Sequence, residues 1–318
     1  MNKLFWENRN VVVTGANGFI GSHLVRSLTY AGARVYGFVR SCNGNWRLAE
    51  IQNELEIIAV DITDHEKVKS QYKEIKPSVT FHTAAYGVQH KDQDIITAIM
   101  VNIKGGVLLI SAVADMPGHC FINVGTRYES LRYDRPIKED DPHCPIGIYG
   151  STKYAAHILM SDIAKRYGVN YRTAVLFGVY GPMENINKFI PYVITSLLKG
   201  NPPQLTGCEQ IRNYTYIDDI VGALLRLAEI DRDGLLTINI GSQTPMSLKE
   251  IVERIAQYIG STINNIEFGS IPYRSDEIWK LVPDTHLCQD ILRWSAETSI
   301  YEGISRTIEW YKGNIHNL

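Results

Sequence analysis

Tyr149 and Lys153 are the two residues whose types and spacing most directly suggest chemistry. A four-residue step places two side chains on the same face of a helix, so the phenol would lie beside the ammonium group. A free tyrosine has a pKa of about 10, and a neighbouring cation lowers that pKa by favouring the phenolate. The pair therefore predicts a proton-transfer device for an alcohol or sugar oxygen, with Tyr149 as the acid or base.

A glycine-rich turn near the start of the chain predicts a hydride-carrying cofactor. The turn follows the apolar run at residues 11–13 and leads directly into a helical pattern. Glycines spaced in this way allow a tight turn, close approach of the backbone to a pyrophosphate and close packing of helix on strand. The phosphates then lie at the helix N-terminus. We expect a nicotinamide dinucleotide to be held by Gly15, Gly18, Phe19, Ile20 and Gly21.

The residue after the second predicted strand distinguishes NADP from NAD. An acidic side chain there would accept a hydrogen bond from the adenine ribose, but this chain has Arg40 followed by Ser41. An arginine suits a 2′-phosphate, so the sequence favours NADP over NAD, with a solvated surface arginine as the alternative. After the third strand, Asp61 and Ile62 are expected at the adenine, although a helix cap explains Asp61 equally well.

Two alanines at the end of the fourth predicted strand complete the expected cofactor site. The small side chains of Ala84 and Ala85 would leave room for the cofactor backbone. In the same strand, His82 is interpreted as a packed core residue rather than as a proton carrier.

The elements that must position these residues alternate through the first half of the chain. Apolar, β-branched runs predict buried strands at residues 11–14, 34–39, 55–60, 79–84, 120–124 and 172–177. Helical patterns follow at residues 22–30, 65–75, 95–114 and 151–166. This alternation predicts an α/β fold with a doubly wound parallel sheet of the Rossmann type.

The second half of the chain departs from that alternation after residue 180. We expect residues 1–180 to form the dinucleotide-binding domain, with a returning strand near 235–241. Residues 181–318 would form mainly a smaller C-terminal α/β substrate-binding domain. In that half, Asp218 and Asp219 are interpreted as acidic residues at the start of a helix rather than as metal ligands, so no metal site is expected.

Composition restricts the partners of the chain. With 318 residues, of which 45% are hydrophobic, the chain can bury a full core. Its net charge of -2 and the lack of a basic block argue against a nucleic-acid binder. The five cysteines lie far apart, which indicates free thiols in a reducing compartment. We expect a cytoplasmic protein without a secretory leader or a membrane span.

Thr126, at the C-terminal end of the fifth predicted strand, would complete a triad with Tyr149 and Lys153. With this triad and the glycine turn, the chain resembles the extended short-chain dehydrogenase/reductase family, in its nucleotide-sugar epimerase, dehydratase and reductase branch. The resemblance continues through Lys-Glu-Asp-Asp-Pro at 138–142, Val-Tyr-Gly-Pro at 179–182, the stretch at 212–219 and the segment from 292 to 303. It therefore covers almost the whole chain.

The resemblance implies a role for each member of the triad. Tyr149 would be the acid or base on a sugar oxygen, and Thr126 would form a hydrogen bond with the same oxygen. Lys153 would hold the nicotinamide ribose and lower the pKa of Tyr149. The hydride would move at a ring carbon, usually C4. For the substrate, a nucleotide-diphosphate sugar, Arg212 and Arg274 would contact the diphosphate, with surface ion pairs as the alternative for each arginine.

Three reactions remain open within this family. The favoured reaction is reduction of a nucleotide 4-keto-(6-deoxy)hexose, which needs only the triad and NADPH. A nucleotide-sugar 4-epimerase usually has an acidic residue after the second strand, where this chain has Arg40. A 4,6-dehydratase, for which the GDP-mannose type is the nearest match, needs further proton donors close behind Thr126, where this chain has Arg127 and, one position late, Glu129. A dinucleotide sensor without turnover is disfavoured because the tyrosine and lysine are both kept.

Two predicted helices carry more apolar surface than one sheet can cover. Ile96 and Ile99 in one helix and Ile158 and Leu159 in the other are examples. The family resemblance implies that such helices pair across a homodimer as a four-helix bundle.

Overall fold

The computed structural model describes residues 2–87, 94–129, 134–261, 266–275 and 277–315. In chain order the strands are β1 (Asn10–Thr14), β2 (Arg34–Val39), β3 (Glu56–Ala59), β4 (Val79–His82), β5 (Cys120–Thr126), β6 (Asn170–Leu176), β7 (Gly178–Tyr180), β8 (Ile211–Arg212), β9 (Tyr214–Tyr216), β10 (Leu235–Ile240), β11 (Met246–Ser247) and β12 (Lys280–Leu281).

Helices connect most of these strands. In chain order they are α1 (Lys3–Trp6), α2 (Phe19–Tyr30), α3 (His65–Ile75), α4 (Ile95–Ala98), α5 (Gly106–Ala112), α6 (Gly147–Tyr167), α7 (Phe189–Leu198), α8 (Ile217–Glu229), α9 (Leu248–Ile259), α10 (His286–Leu292) and α11 (Ile300–Asn314). A π-helix, Ile99–Gly105, joins α4 to α5, and 3₁₀ turns lie at Trp46–Ile51 and Arg127–Glu129.

A seven-stranded parallel sheet organises the molecule, in the order β10-β6-β5-β4-β1-β2-β3. The central strands β1 and β4 are almost fully buried because helices cover both faces of the sheet, which explains their continuous apolar sequences. The predicted doubly wound sheet is therefore confirmed. In such a sheet the C-terminal ends of the strands meet at one edge, where ligands bind.

The C-terminal half contributes two small sheets in addition to the returning strand. β10 pairs with β6 in the central sheet, β11-β8-β12 form a three-stranded sheet, and β7-β9 form a pair. One hydrophobic cluster joins Val11 of β1 to Ile220 of α8 and Ile304 of α11, so the core runs through both halves. The boundary near residue 180 stays a prediction.

The sequence pattern misplaced two elements next to the candidate site. β4 ends at His82, so Ala84 and Ala85 lie in the loop after the strand rather than within it. The predicted continuous helix 95–114 is instead α4, a π-helix and α5, ending at Ala112. Continuous apolar residues predict a helix without showing where its hydrogen bonding changes, and π turns occur often at functional sites.

Among the residues that the structure describes, Ile95–Ala112 is the one stretch long and apolar enough to cross a membrane, and a third of it is buried. Its Leu109 and Ile110 belong to the core cluster beneath α6, as expected for a helix that packs on a sheet.

Candidate active site

The glycine turn between β1 and α2 has a geometry that only glycine tolerates. Gly15 has φ +68, and a Cβ atom there would lie 2.9 Å from the backbone of Ala84. A Cβ atom on Gly21 would overlap the Gly15 carbonyl oxygen. The Gly18 N–H donates to that same carbonyl at 2.9 Å, which closes the turn. The close packing of strand, turn and helix therefore requires the absence of a Cβ atom at Gly15 and Gly21.

The N-terminus of α2 has the properties of an anion site. Its N-cap is Gly18, which offers no side-chain cap, and the first turn contains no acidic residue. The first-turn N–H groups, including those of Phe19 and Ile20, therefore lack a side-chain acceptor while the helix dipole favours negative charge. This uncapped terminus, beside a turn that Cβ atoms would fill, fits the pyrophosphate of a dinucleotide.

Arg40, Asp61 and Ile62 follow the ends of β2 and β3, at the same edge of the sheet. Arg40 is exposed, and its guanidinium group forms no hydrogen bond or ion pair with any residue that the structure describes. The Asp61 carboxylate accepts from the N–H and hydroxyl of Thr63 at 2.9 and 2.8 Å, so it stabilises a local turn, while Asp64 caps α3. Ile62 is buried beside Gly105.

The loop after β4 is tied to β1 by a buried polar contact. Thr14 Oγ1 lies 2.8 Å from His82 Nδ1 and accepts from the Ala84 N–H at 3.3 Å. Burial, and to a smaller extent Lys153, lowers the pKa of His82 to about 3, so the imidazole is neutral and structural. Ala84 is partly exposed and Ala85 is exposed, beside the glycine turn.

Asn102 is a positioning residue that the sequence analysis missed. It lies in the π-helix with an exposed fraction of 2%, and its side-chain amide accepts from the Tyr86 N–H at 2.8 Å and donates to the Tyr86 carbonyl at 2.9 Å. It also donates to the Thr152 hydroxyl in α6 at 2.9 Å. Asn102 thus connects the loop after β4 to the helix that carries Tyr149. An amide side chain inside a mostly apolar helical run was the available signal.

Thr126, Tyr149 and Lys153 meet where β5 ends and α6 begins. Thr126 is the last residue of β5 and is buried. Tyr149 lies in the first turn of α6, partly buried, and the side chain of Thr126 acts to lower its pKa. Lys153 follows one turn later with an exposed fraction of 3%. The structure therefore brings the three predicted residues together at the ligand-binding edge of the sheet.

The prediction that the pKa of Tyr149 is lowered is wrong for this structure. Burial, followed by the negative charge of Glu129, raises the pKa of Tyr149 instead of lowering it. Burial also lowers the pKa of Lys153, whose charge acts on Glu129, His82 and His157. A helical spacing fixes the face that two residues share, but not how much water surrounds them or which third charge acts on both of them.

The 3₁₀ turn Arg127–Glu129 places three further side chains around Tyr149. Glu129 has an exposed fraction of 1%, and its carboxylate accepts from the Thr126 N–H at 3.0 Å. Burial raises the pKa of Glu129 to about 7, against the opposing effects of Lys153 and that N–H group. Glu129 therefore holds the end of β5, and its charge changes near neutral pH.

Tyr128 contacts both Tyr149 of α6 and a guanidinium group. Its ring centroid lies 6.2 Å from that of Tyr149 in an edge-to-face arrangement, and its hydroxyl accepts from Arg127 Nη2 at 3.1 Å. Gly150 packs so closely on this turn that a Cβ atom would overlap the Tyr128 carbonyl oxygen. No role was predicted for Tyr128 or Gly150.

Of the two predicted diphosphate contacts, Arg212 lies in the candidate site. It is half-buried in β8, pairs with Glu277 at 3.0 Å, and acts electrostatically on Tyr128. Arg274 is exposed in the loop before Glu277. Its backbone carbonyl accepts a hydrogen bond from the Glu277 N–H at 3.2 Å. Lys188 also acts on Tyr128, so positive charges approach that phenol from the turn, from β8 and from the start of α7.

Asp219, interpreted above as an acidic residue at the start of a helix, lies in the first turn of α8 and has protein partners. Its carboxylate accepts from the N–H groups of Glu297 and Thr298 at 3.3 and 3.0 Å. Within the described ranges, no group of three or more His, Cys, Asp or Glu residues could hold a metal ion.

Known proteins match this chain along most of its length. The model of the NAD dependent epimerase/dehydratase family matches residues 11–241. The human dTDP-D-glucose 4,6-dehydratase is 29% identical, over 97% of this chain and 91% of that enzyme. The UDP-glucuronate 4-epimerase of Thermodesulfobacterium geofontis is 27% identical, over 96% of each chain. The solved structure of MoeE5 in complex with UDP-glucuronic acid and NAD has a TM-score of 0.84 and 28% identity, over 96% of this chain and 99% of that one.

Proposed function

Because this chain is an enzyme of the NAD dependent epimerase/dehydratase family, we propose that it interconverts the alcohol and the ketone at C4 of a nucleotide-diphosphate hexose. The observation that carries the proposal is the placement of Thr126, Tyr149 and Lys153 at the end of β5 and the start of α6, on the same sheet edge as the glycine turn. When bound, the nicotinamide dinucleotide supplies hydride chemistry. The chain itself supplies the proton at the sugar oxygen through the Tyr149 hydroxyl.

Positive charge around Tyr128 supports a nucleotide diphosphate as the substrate handle. Arg127, Lys188 and Arg212 act together on that phenol, and guanidinium groups bind phosphate oxygens through two parallel hydrogen bonds. In this proposal Glu277 orients Arg212 until the diphosphate arrives, and Arg274 supplies a second guanidinium group from its exposed loop. The relatives named above act on dTDP- and UDP-linked sugars, which agrees with this substrate class.

The direction of the reaction is the finer part of the proposal. The relatives are named as dehydratases and epimerases, and the 4-keto reductase that the sequence favoured has no counterpart among them. One observation still supports reduction as a second candidate, because the raised pKa of Tyr149 keeps the phenol protonated and able to donate to a keto oxygen. Oxidation requires the same phenol to lose its proton first.

A product assay tests the proposal and separates the reactions. Purified protein is incubated with NAD and either UDP-glucose, dTDP-glucose or UDP-glucuronate, and with NADPH and a dTDP- or UDP-linked 4-keto-6-deoxyhexose. Loss of one water by mass spectrometry indicates dehydration, an unchanged mass with inverted C4 indicates epimerisation, and oxidation of NADPH indicates reduction. If none of these substrates changes, and no nucleotide sugar is retained on the purified protein, the proposed function is wrong.

We further propose NADP as the preferred cofactor, on the basis of the exposed Arg40 at the end of β2. In this proposal the preference distinguishes the chain from MoeE5, whose structure was solved in complex with NAD. Replacing Arg40 by Ala should weaken NADP about tenfold, the effect of roughly 1.4 kcal/mol for a lost charge-assisted contact, and leave NAD within about twofold. Equal losses for both dinucleotides in calorimetric titrations would contradict this proposal.

A homodimer is the proposed assembly. The exposed apolar side chains on α4, the π-helix and α6 lie on neighbouring elements; they are Ile95, Ile96, Ile99, Met100, Ile158 and Leu159. Isolated chains rarely expose so large a group of aliphatic residues unless a partner covers it. Sedimentation of the protein as a dimer at micromolar concentration, and of Ile96→Glu as a monomer, is the expected result. A monomeric wild-type protein would contradict the proposal.

A further inference from the structure

The side of the candidate site that faces Tyr149 contains a second phenol with an unusual environment. Tyr128 is partly buried, and its ring packs edge-to-face on that of Tyr149. Its hydroxyl accepts a hydrogen bond from the Arg127 guanidinium, which also lies over the ring, with the guanidinium carbon 4.8 Å from the centroid. Because a guanidinium group can only donate, this contact leaves the phenol proton free for another acceptor.

The charged and titratable groups around Tyr128 are mostly positive. The positive groups are Arg127 in its own turn, Lys188 before α7 and Arg212 in β8. The other two are the phenols of Tyr214 in β9 and Tyr149 in α6. Three cations therefore act on one phenol, and Arg127, which donates a hydrogen bond to the phenol oxygen, has the largest effect in lowering the pKa of Tyr128. An environment of this kind stabilises a phenolate, which is the form that acts as a base.

The backbone fixes the position of Tyr128 relative to Tyr149. The Tyr128 carbonyl accepts from the Ile146 N–H at 2.9 Å, directly before α6, and its N–H donates to the Thr126 hydroxyl at 3.4 Å. Gly150 presses against the same carbonyl. The 3₁₀ turn is thus fastened to the start of the catalytic helix, so the two phenols form one rigid unit.

We propose that Tyr128 is a second catalytic residue, which removes and returns a proton on a carbon next to the 4-keto group of the bound sugar. The inference rests on the proposed function, because that function places a C4 ketone beside Tyr149. The Tyr128 phenolate oxygen takes the proton, the electron pair of the C–H bond forms an enolate with the ketone, and Tyr149 and Thr126 hydrogen-bond to the enolate oxygen. Return of the proton restores the ketone, so the step needs no oxidant or reductant.

Such a proton transfer has a consequence for the type of reaction. A 4-epimerase or 4-reductase needs proton transfer only at the C4 oxygen, whereas loss of water next to a ketone, or inversion of the neighbouring carbon, needs a base at that carbon. Glu129 is placed less well for this step, because its carboxylate is buried and accepts from the backbone of Thr126. Tyr128 therefore gives the chain a capacity beyond hydride transfer at C4.

Hydrogen–deuterium exchange on a ready-made ketone tests Tyr128 separately from hydride transfer. Protein loaded with NADP is incubated in D₂O with a dTDP- or UDP-linked 4-keto-6-deoxyhexose, and loss of the C3 and C5 proton signals is followed by NMR. The wild type should exchange one of them well above the rate without protein, and Tyr128→Phe should lower that rate about 100-fold. Tyr167→Phe, the same change at a side chain that is 55% exposed on α6, should match the wild type.

Two additional measurements keep the outcomes separate. Dinucleotide affinity and the unfolding temperature of Tyr128→Phe should match the wild type, which shows that the turn still folds. Arg127→Met, which removes the guanidinium but keeps the phenol, should shift the pH dependence of exchange to higher pH. Exchange by Tyr128→Phe at the wild-type rate, or no exchange by the wild type, would overturn the inference. Absence of hydride transfer with every sugar would instead contradict the proposed function. The exchange rates of the wild type and Tyr128→Phe would still decide whether Tyr128 moves a proton at carbon.

Discussion

The dinucleotide end and the sugar end of the candidate site depend on different kinds of contact. At the dinucleotide end, the decisive contacts are made by backbone atoms around Gly15 and Gly21, and the nearby imidazole of His82 is neutral. At the sugar end, the decisive contacts are made by charged side chains, with Glu129 and Lys153 buried close together. The first end is specified by steric requirements and the second by electrostatic ones.

This difference implies that the two ends should fail differently when altered. An added side-chain atom at the glycine turn should weaken dinucleotide binding. The rate of the chemical step should be unchanged once the dinucleotide is bound. A change of charge at the 3₁₀ turn or on α6 should alter rates and pH dependence while binding persists. The following variants test that division, beginning with the largest expected effect.

Tyr149→Phe should lower kcat by about 10²–10⁴-fold, because it removes the only hydroxyl of the triad that carries the proton to the sugar oxygen. Dinucleotide affinity, measured by calorimetry, should stay within about twofold of the wild type. Rates are measured with the first substrate that the product assay identifies. A comparable loss of binding would show that the two ends are not separable.

Gly21→Ala should weaken dinucleotide binding by about 10- to 100-fold, equivalent to roughly 1–3 kcal/mol of overpacking, because the new methyl group overlaps the Gly15 carbonyl. The matched control is Gly313→Ala on α11, where a Cβ atom meets nothing within 4 Å and a helix favours alanine. Titration with NADP and thermal unfolding compare the two variants. Normal binding by Gly21→Ala would remove the steric account of this end.

The same division explains how much of the molecule could be predicted from its sequence. The alternation of strands and helices, and the glycine turn, depend on local periodicity and backbone space, so β2 and α3 were predicted to the residue. The triad was predicted as a set, but the pKa of Tyr149 was predicted in the wrong direction. Its value depends on burial and on Glu129, twenty residues earlier in the chain. A local sequence pattern does not show that two such residues are close in the folded chain.

Asn102 and Tyr128 were missed for a related reason. Each acts through contacts between elements that are distant in sequence: Asn102 joins the loop after β4 to α6, and Tyr128 packs on Tyr149. Their residue types have many ordinary explanations, and only the fold shows which partners they meet. Arg274 was assigned through the family resemblance and stays a prediction, since its exposed loop gives no evidence about the substrate.

Gly150→Ala should lower kcat about tenfold, because a methyl group would push the Tyr128 carbonyl and the whole 3₁₀ turn away from Tyr149. Dinucleotide affinity should be unchanged, in contrast to Gly21→Ala, although both variants add one methyl group at a backbone contact. Steady-state kinetics and calorimetry on the same preparation measure both quantities. If Gly150→Ala weakened the dinucleotide as much as Gly21→Ala does, the turn would belong to both ends of the site.

Glu129→Gln should change the pH dependence of stability at the sugar end. Burial raises the pKa of Glu129 from 4.5 to about 7, so the folded state binds more protons than the unfolded state between these values. The stabilising contribution of this group is present below pH 4.5 and is lost as pH rises through about 7. The free energy of unfolding of the variant, relative to that of the wild type, should therefore be about 1–3 kcal/mol higher above pH 7 than below pH 4.5. Urea unfolding across this range measures the difference, and the slope that Glu184 contributes cancels because both proteins keep it. A pH-independent difference would mean that Glu129 has the same pKa in the folded and unfolded states, because Lys153 and the Thr126 N–H offset the effect of burial.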